Sequence, residues 1–154
     1  MSDQQPVFNI EKIYVKDASL EAPHAPQIFL EPAQPQVEVQ LATAATRAAD
    51  GLYEAVVTIT VTAKAGDKTC FLVEAAQAGI FQIRNVPEAD LEPILGIACA
   101  NILFPYARET IADLIARAGF PAIHLAPVNF EAMYAARQEA QGAAGAGPRI
   151  EIAH

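Results

Sequence analysis

The longest run of period-two alternation lies between Tyr53 and Ala63. Tyr53, Ala55, Val57, Ile59, Val61 and Ala63 share one parity, and Glu54, Val56, Thr58, Thr60 and Thr62 the other. That period places the two sets on opposite faces of a strand. Gly66-Asp67 signals a turn, and Thr69 to Phe81 reads as the returning partner. Setting Glu74 beside the three threonines requires paired residue numbers with an even sum. This implies an odd loop such as Gly66-Asp67-Lys68. Leu72 then joins Glu74 on the polar face, while Phe71, Val73 and Ala75 point to the core side.

The flanking segments continue the pattern. Val37, Val39 and Leu41 alternate with Glu38 and Gln40, and Asp50-Gly51 is a hairpin signal. Thr43 to Ala49 fits neither period cleanly. At the N-terminal end, Phe8 and Ile10 share one parity and Ile13 and Val15 the other, which predicts a bulge near Glu11 and Lys12. Beyond it, Asp17, Ser19 and Glu21 alternate with Ala18 and Leu20, so both carboxylates lie on one side of an extended segment. Residues 22–36 hold Pro23, Pro26, Pro32 and Pro35, which makes them an irregular crossover rather than a central strand. The crossover nevertheless carries Ile28, Phe29 and Leu30, apolar residues unusual in a water-facing loop.

After Asn85-Val86-Pro87 the period becomes helical. Asp90 to Ala100 predicts a short helix interrupted early by Pro93. A main helix follows over about 104–118, with Pro105 read as first-turn proline. Its apolar stripe is Ala107, Ile111, Leu114, Ile115 and Ala118, and Gly119 and Pro121 end it. A last helix is expected from an Asn129 cap, with Glu131 in its first turn, Val128 and Met133 as a hydrophobic staple, and Phe130, Met133 and Tyr134 on its apolar face. Strands followed by helices, without βαβ alternation or a glycine-rich phosphate loop, predict an α+β fold: a four-stranded antiparallel sheet with helices packed on one face. Residues 1–6 are read as a flexible N-terminus, 7–140 as one domain and 141–154 as a disordered, Gly/Ala-rich tail.

The composition is 53% hydrophobic and only 18% charged, with mean hydropathy +0.21. No run approaches the roughly 20 apolar residues needed to span a bilayer, and the N-terminus lacks a signal pattern. The surplus apolar content points to surface buried against other copies, or exposed for use. A net charge of −8 with scattered basic residues argues against nucleic acid as a partner. Cys70 and Cys99 have no metal-site spacing and read as reduced thiols of a cytoplasmic protein. His24, His124 and His154 lack partners at helical spacing, so no catalytic or metal site is expected.

Four segments together resemble the bacterial protein-export chaperone SecB family: Ile13-Tyr-Val-Lys-Asp-Ala-Ser-Leu-Glu-Ala-Pro23, Gly79-Ile-Phe81, Asn101-Ile-Leu-Phe-Pro-Tyr-Ala-Arg-Glu109 and Leu125-Ala-Pro-Val-Asn-Phe130. The resemblance covers about residues 7–138. It implies a homotetramer, a dimer of dimers, whose main helices lie between sheets built across subunits; Phe104, Tyr106, Ile111 and Leu114 would serve that interface. It implies a chaperone, not an enzyme, that holds unfolded secretory precursors translocation-competent and passes them to the SecA motor ATPase, without cofactor or metal and without inserting in the membrane. The family's motor-binding patch corresponds to Asp17, Glu21, Leu72 and Glu74. Its client groove suggests Phe29, Val39, Leu41, Met133 and Tyr134. Many members carry a tryptophan in the crossover where this chain has Ala33. Two other readings remain: a SecB-like, antitoxin-type chaperone guarding one partner, and a small ligand-binding or enzymatic α+β domain using His24, Asp50, Arg108 and Glu109.

Overall fold

The structure is a computed structural model that describes residues 4–32 and 34–144. Four strands, β1 (Val7–Glu21), β2 (Gln36–Ala49), β3 (Leu52–Ala65) and β4 (Lys68–Arg84), form one antiparallel sheet in the order β1-β4-β3-β2. The helices lie on one face, so the α+β expectation holds for the chain.

Register explains how an apolar face survives irregular spacing. In β1 the pairing shifts between Ile10 and Lys12, where the parity switch predicted a bulge, and again between Val15 and Asp17. Each bulge flips parity once. As a result Phe8, Ile10, Ile13, Val15, Ala18 and Leu20 all pair with odd-numbered β4 residues, on the helix side. The second bulge, at Lys16, was not foreseen. In the β3–β4 hairpin the body has the expected even sum, with Thr60 opposite Glu74 and Val61 opposite Val73. The turn, however, is the two-residue Gly66-Asp67 between paired Ala65 and Lys68. Cys70, an extra residue, restores the parity that a three-residue loop would have set. The ambiguous stretch from Thr43 to Ala49 continues β2, and Gly51 closes the β2–β3 turn with φ +72°.

Pro105 does not start the main helix. Helical backbone runs from α1 (Glu88–Pro93) through a π turn (Ile94–Ala98) into α2 (Cys99–Arg117). The π turn closes with the Cys99 N–H donating to the Ile94 carbonyl and joins α1 to α2. An internal proline costs about 3 kcal/mol. Against that, Leu103, Phe104, Ile111 and Ile115 are buried, each worth about 1.5–3 kcal/mol. Packing therefore wins. Pro105 and Asn101, the residue whose carbonyl loses its helical donor, are both exposed. The helix ends as expected at Gly119 (φ +95°), with Phe120 N–H bonded to the Ile115 carbonyl and Gly119 N–H to that of Ala116.

The core lies between α2 and the two central strands: Phe81, Ile59, Leu103, Ile111 and Ile115 are fully buried there. Gly79 permits the close approach, since a Cβ at that position would lie 3.1 Å from Leu103. α3 (Phe130–Ala144) begins at the expected cap, where the Asn129 Oδ1 accepts from the Ala132 N–H at 2.9 Å. It reaches Ala144, past the boundary at 141 read from sequence; the rest of that tail, 145–154, lies outside the described residues, as do 1–3 and Ala33. One helix covers only the middle of the sheet. Parts of the helix-side faces of both edge strands stay open, with Phe8, Ile10 and Val15 exposed on β1 and Val37 and Val39 on β2.

Candidate interaction surfaces

The sheet face away from the helices collects the carboxylates. Cross-strand pairing runs Glu21–Leu72–Thr62–Glu38 in one transverse row, then Ser19–Glu74–Thr60–Gln40, then Asp17–Ala76–Thr58–Ala42. Asp17, Glu21, Leu72 and Glu74, which sequence pattern placed in two separate pairs, therefore share one face within a few strand spacings of about 4.8 Å. Glu74 accepts a hydrogen bond from the Thr60 hydroxyl at 2.9 Å, which orients it. Asp17 and Glu21 form no ion pair among the described residues and are exposed. Half-buried Leu72 stands as an apolar contact among these charges. Glu38 completes the first row at the β2 edge. Sequence reasoning missed it because the Val37–Glu38–Val39 alternation fixes its parity but not its neighbour, which only the β2–β3 register supplies.

Further along this face the Glu54 carboxylate accepts from the Tyr14 hydroxyl at 2.5 Å and from the Lys16 ammonium at 2.8 Å. Burial alone would raise the Glu54 pKa; the bonds from Lys16 and Tyr14 outweigh it and hold the group below the usual carboxylate range. Burial, with the adjacent anion, pushes the Tyr14 phenol up to about 12. Lys16 reaches this site from the unforeseen bulge.

On the helix side, the apolar candidates divide into two regions. Phe29, half exposed in a short 3₁₀ turn of the crossover, packs at a tilt on Phe120, which packs at a tilt on Phe71; both centroid distances are 4.9 Å. Phe71 opposes Ala63, and Ala63 opposes Val37, so Phe29 and exposed Val39 share one end of the sheet. Leu41 is half-buried against the core. Beyond it α3 crosses β2, where Arg137 donates to the Thr43 hydroxyl at 3.2 Å. Met133 packs on the core, and Tyr134 lies over Gly96 and donates to Glu92 at 3.3 Å. Burial beside the Glu92 charge raises the Tyr134 pKa.

Of the residues expected at a subunit interface, Phe104 and Ile111 are buried within their own chain. Phe104 meets Phe130 edge-on at 5.9 Å, with the Arg108 guanidinium over its ring. Leu114 is half-buried, and Tyr106 is half exposed. Cys70 and Cys99 are free and buried, and burial pushes the Cys99 thiol up to about 12. His24 and His124 are exposed and far apart in sequence, and no metal-holding cluster occurs among the described residues. No described helix is long and apolar enough to cross a membrane.

Comparison with known proteins bears on these surfaces. The family described as preprotein translocase subunit SecB matches residues 1–141. The protein-export protein SecB of Chromobacterium violaceum is 61% identical over 94% of this chain and 99% of its own length. That of Neisseria meningitidis serogroup B is 56% identical over 93% and 99%. A solved structure of a SecB-like chaperone from Mycobacterium tuberculosis, in complex with a ChAD peptide from the HigA1 antitoxin, superposes with a TM-score of 0.65. It covers 79% of this chain and 90% of that one at 16% identity, so that likeness concerns the fold.

Proposed function

The chain belongs to the SecB family and is a protein-export chaperone, not an enzyme; on that premise we propose how its surfaces divide the work. The apolar helix-side surface around Phe29, Val39, Leu41, Met133 and Tyr134 holds unfolded precursor segments. Such clients share no sequence, so contact has to be apolar and adaptable, which suits exposed valines, a flexible methionine and an amphipathic tyrosine. The opposite face, Asp17, Glu21, Leu72 and Glu74, receives the SecA motor. Carboxylates steer and orient a basic partner segment, and Leu72 anchors it.

The observation that carries this reading is the convergence of those four residues on one uncovered sheet face, with Glu74 aligned by Thr60. Assembly as a dimer of dimers is supported by the open apolar faces of β1 and by half-exposed Tyr106 on α2. Phe104 and Ile111 serve that assembly by seating α2 rather than by outward contact. We place the chaperone in the cytoplasm, where precursors await export, with 7–140 as the working domain. An antitoxin-guarding role is disfavoured, since the high-identity relatives are export proteins.

The test is Glu74→Lys. Motor binding, measured by calorimetry, should be lost, while solution mass and capture of a denatured precursor stay unchanged. Undiminished motor affinity, or loss of the tetramer, would refute the assignment of Glu74 to a free docking face.

A further inference from the structure

Between Val15 and Ala18, β1 carries one residue more than its partner strand. Val15 pairs with Gln77 and Asp17 with Ala76, which leaves Lys16 without a place in the ladder. This extra residue is what turns Asp17 and Glu21 outward. In the register that holds from Lys12 to Val15, Lys16 would oppose Ala76, and Asp17 would oppose Ala75 on the helix side. The apolar pattern demands one extra residue, because Val15 and Leu20 both face the helices. It does not decide whether Lys16 or Asp17 is that residue. With Asp17 in the bulge, Lys16 would stand opposite Ala76 and put an ammonium among the acidic rows.

We propose that Lys16, anchored by Glu54 and Tyr14, is a positioning residue of the motor-docking face: its ion pair selects the register in which Asp17, not Lys16, stands opposite Ala76. The inference rests on the motor-docking role proposed above. Lys16 acts through Asp17 and touches no partner itself. Its Nζ donates to Glu54 Oε1 at 2.8 Å. Glu54 lies on β3 opposite Ile80, farther along β4 from Glu74 than Ala76 is, so the ammonium is drawn away from the acidic rows. The Tyr14 hydroxyl donates to Oε2 at 2.5 Å, and both oxygens of this half-buried carboxylate are thereby engaged. Small Ala78 lies between Tyr14 and Val56 in its row and leaves room for the side chains to cross β4. Of the two polar residues that could occupy the bulge, Lys16 thus has a fixed partner there, whereas Asp17 forms no ion pair among the described residues. The cation nearest the patch, which would otherwise repel a basic segment, is instead spent on holding the carboxylate in place.

The experiment measures motor affinity of the full chain by calorimetry in Lys16→Met and Asp17→Asn, singly and together. Charge alone and register predict opposite signs. Removing a cation beside carboxylates should tighten a basic partner, whereas losing the register should weaken it. Lys16→Met is expected to bind the motor about fivefold more weakly, with solution mass and capture of a denatured precursor unchanged. Lys16→Arg, which keeps a charged donor for Glu54, should stay within about twofold of the unaltered protein. Asp17→Asn should cost about fivefold in the unaltered protein and less than about twofold in the Lys16→Met background. A role in stability alone would leave the second cost equal to the first. Glu54→Gln keeps the side chain's shape and removes its charge. It should show the same coupling to Asp17→Asn, and it supplies the reading if Lys16→Met does not assemble. Unchanged or tighter motor binding in Lys16→Met overturns the positioning role, as does an Asp17→Asn cost that is the same in both backgrounds. If Glu74→Lys abolishes motor binding while Lys16→Met does not weaken it, the positioning role alone fails. If Glu74→Lys also binds undiminished, the docking face fails with it.

Discussion

Tyr14→Phe removes one hydroxyl and tests the electrostatics of the outer sheet face. The phenol donates to Glu54 at 2.5 Å, and Lys16 supplies the other donor. A hydrogen bond to a charged acceptor is worth about 1.5–3 kcal/mol. The rise of the phenol from 10 to about 12 corresponds to roughly 2.7 kcal/mol at 1.36 per unit. Part of that rise is burial, and the site is open enough for solvent to screen it, so about 1–2 kcal/mol is the share of the bond. Urea unfolding at one protein concentration should therefore show Tyr14→Phe less stable by about 1.5 kcal/mol at pH 7. The pH profile carries the sign. Glu54 titrates lower folded than unfolded, so its contribution is present above about pH 4.3 and is lost as pH falls through the folded value. Tyr14 titrates higher folded, so its contribution is present below about pH 10 and is lost as pH rises toward 12. The gap between the two proteins should thus be widest between these limits and close at both ends. A gap below about 0.3 kcal/mol at pH 7, or one of constant size from pH 3 to pH 11, would refute the reasoning.

Three further outcomes follow from the packing. Gly79→Ala would put a methyl 2.9 Å from the Phe81 ring and 3.1 Å from both Leu103 and the Lys12 carbonyl oxygen; a loss of about 1–3 kcal/mol is expected, read as a fall of several degrees in melting temperature. Asn129→Ala removes the α3 cap and should cost about 1 kcal/mol; amide exchange should accelerate in the first turn of α3 and not in α2. Cys99, with its thiol pushed up to about 12 by burial, should resist iodoacetamide at pH 8 in the native protein and react in urea, and rapid native labelling by mass spectrometry would contradict its burial.

Much of the sheet was legible because period two survives in the sequence wherever a strand is regular. Glu11 announced its bulge by a parity switch between Ile10 and Ile13. Lys16 lies within a second switch, from Ile13 and Val15 to Ala18 and Leu20, but small Ala18 marks a buried face only weakly, so that bulge is harder to read. The hairpin body was legible from Glu74 and the threonines. The turn was not, since a bulge at Cys70 and a longer loop shift parity equally. Pro105 misled for a physical reason: local rules count the lost hydrogen bond, whereas the burial of Leu103, Phe104, Ile111 and Ile115 is a tertiary gain invisible to them. Asp17 and Glu74 were each assigned a polar face, but their meeting depends on β1 pairing with β4 rather than with β2, a choice of strand order that alternation does not encode.

The division of faces has a mechanical consequence. Client groove and motor patch are proposed on opposite faces of one sheet, the groove along edge strand β2 and α3 and the patch on β1 and β4, so neither ligand blocks the other sterically. Side chains alternate along each strand, so Val73 is fully buried beneath α2 while its neighbours Leu72 and Glu74 face outward. Any communication between the two ligands therefore has to pass through strand position or through rearrangement of subunits, not through a shared side chain. The central strands are poor carriers of such a signal, since they are paired on both sides and fixed by a packed core. The edges are better placed. β1 contributes Asp17 and Glu21 to the outer patch and leaves Phe8, Ile10 and Val15 uncovered on the other side. A partner that pulls on β1 at its acidic end is thereby linked, through one strand with two bulges, to the apolar surface proposed for assembly.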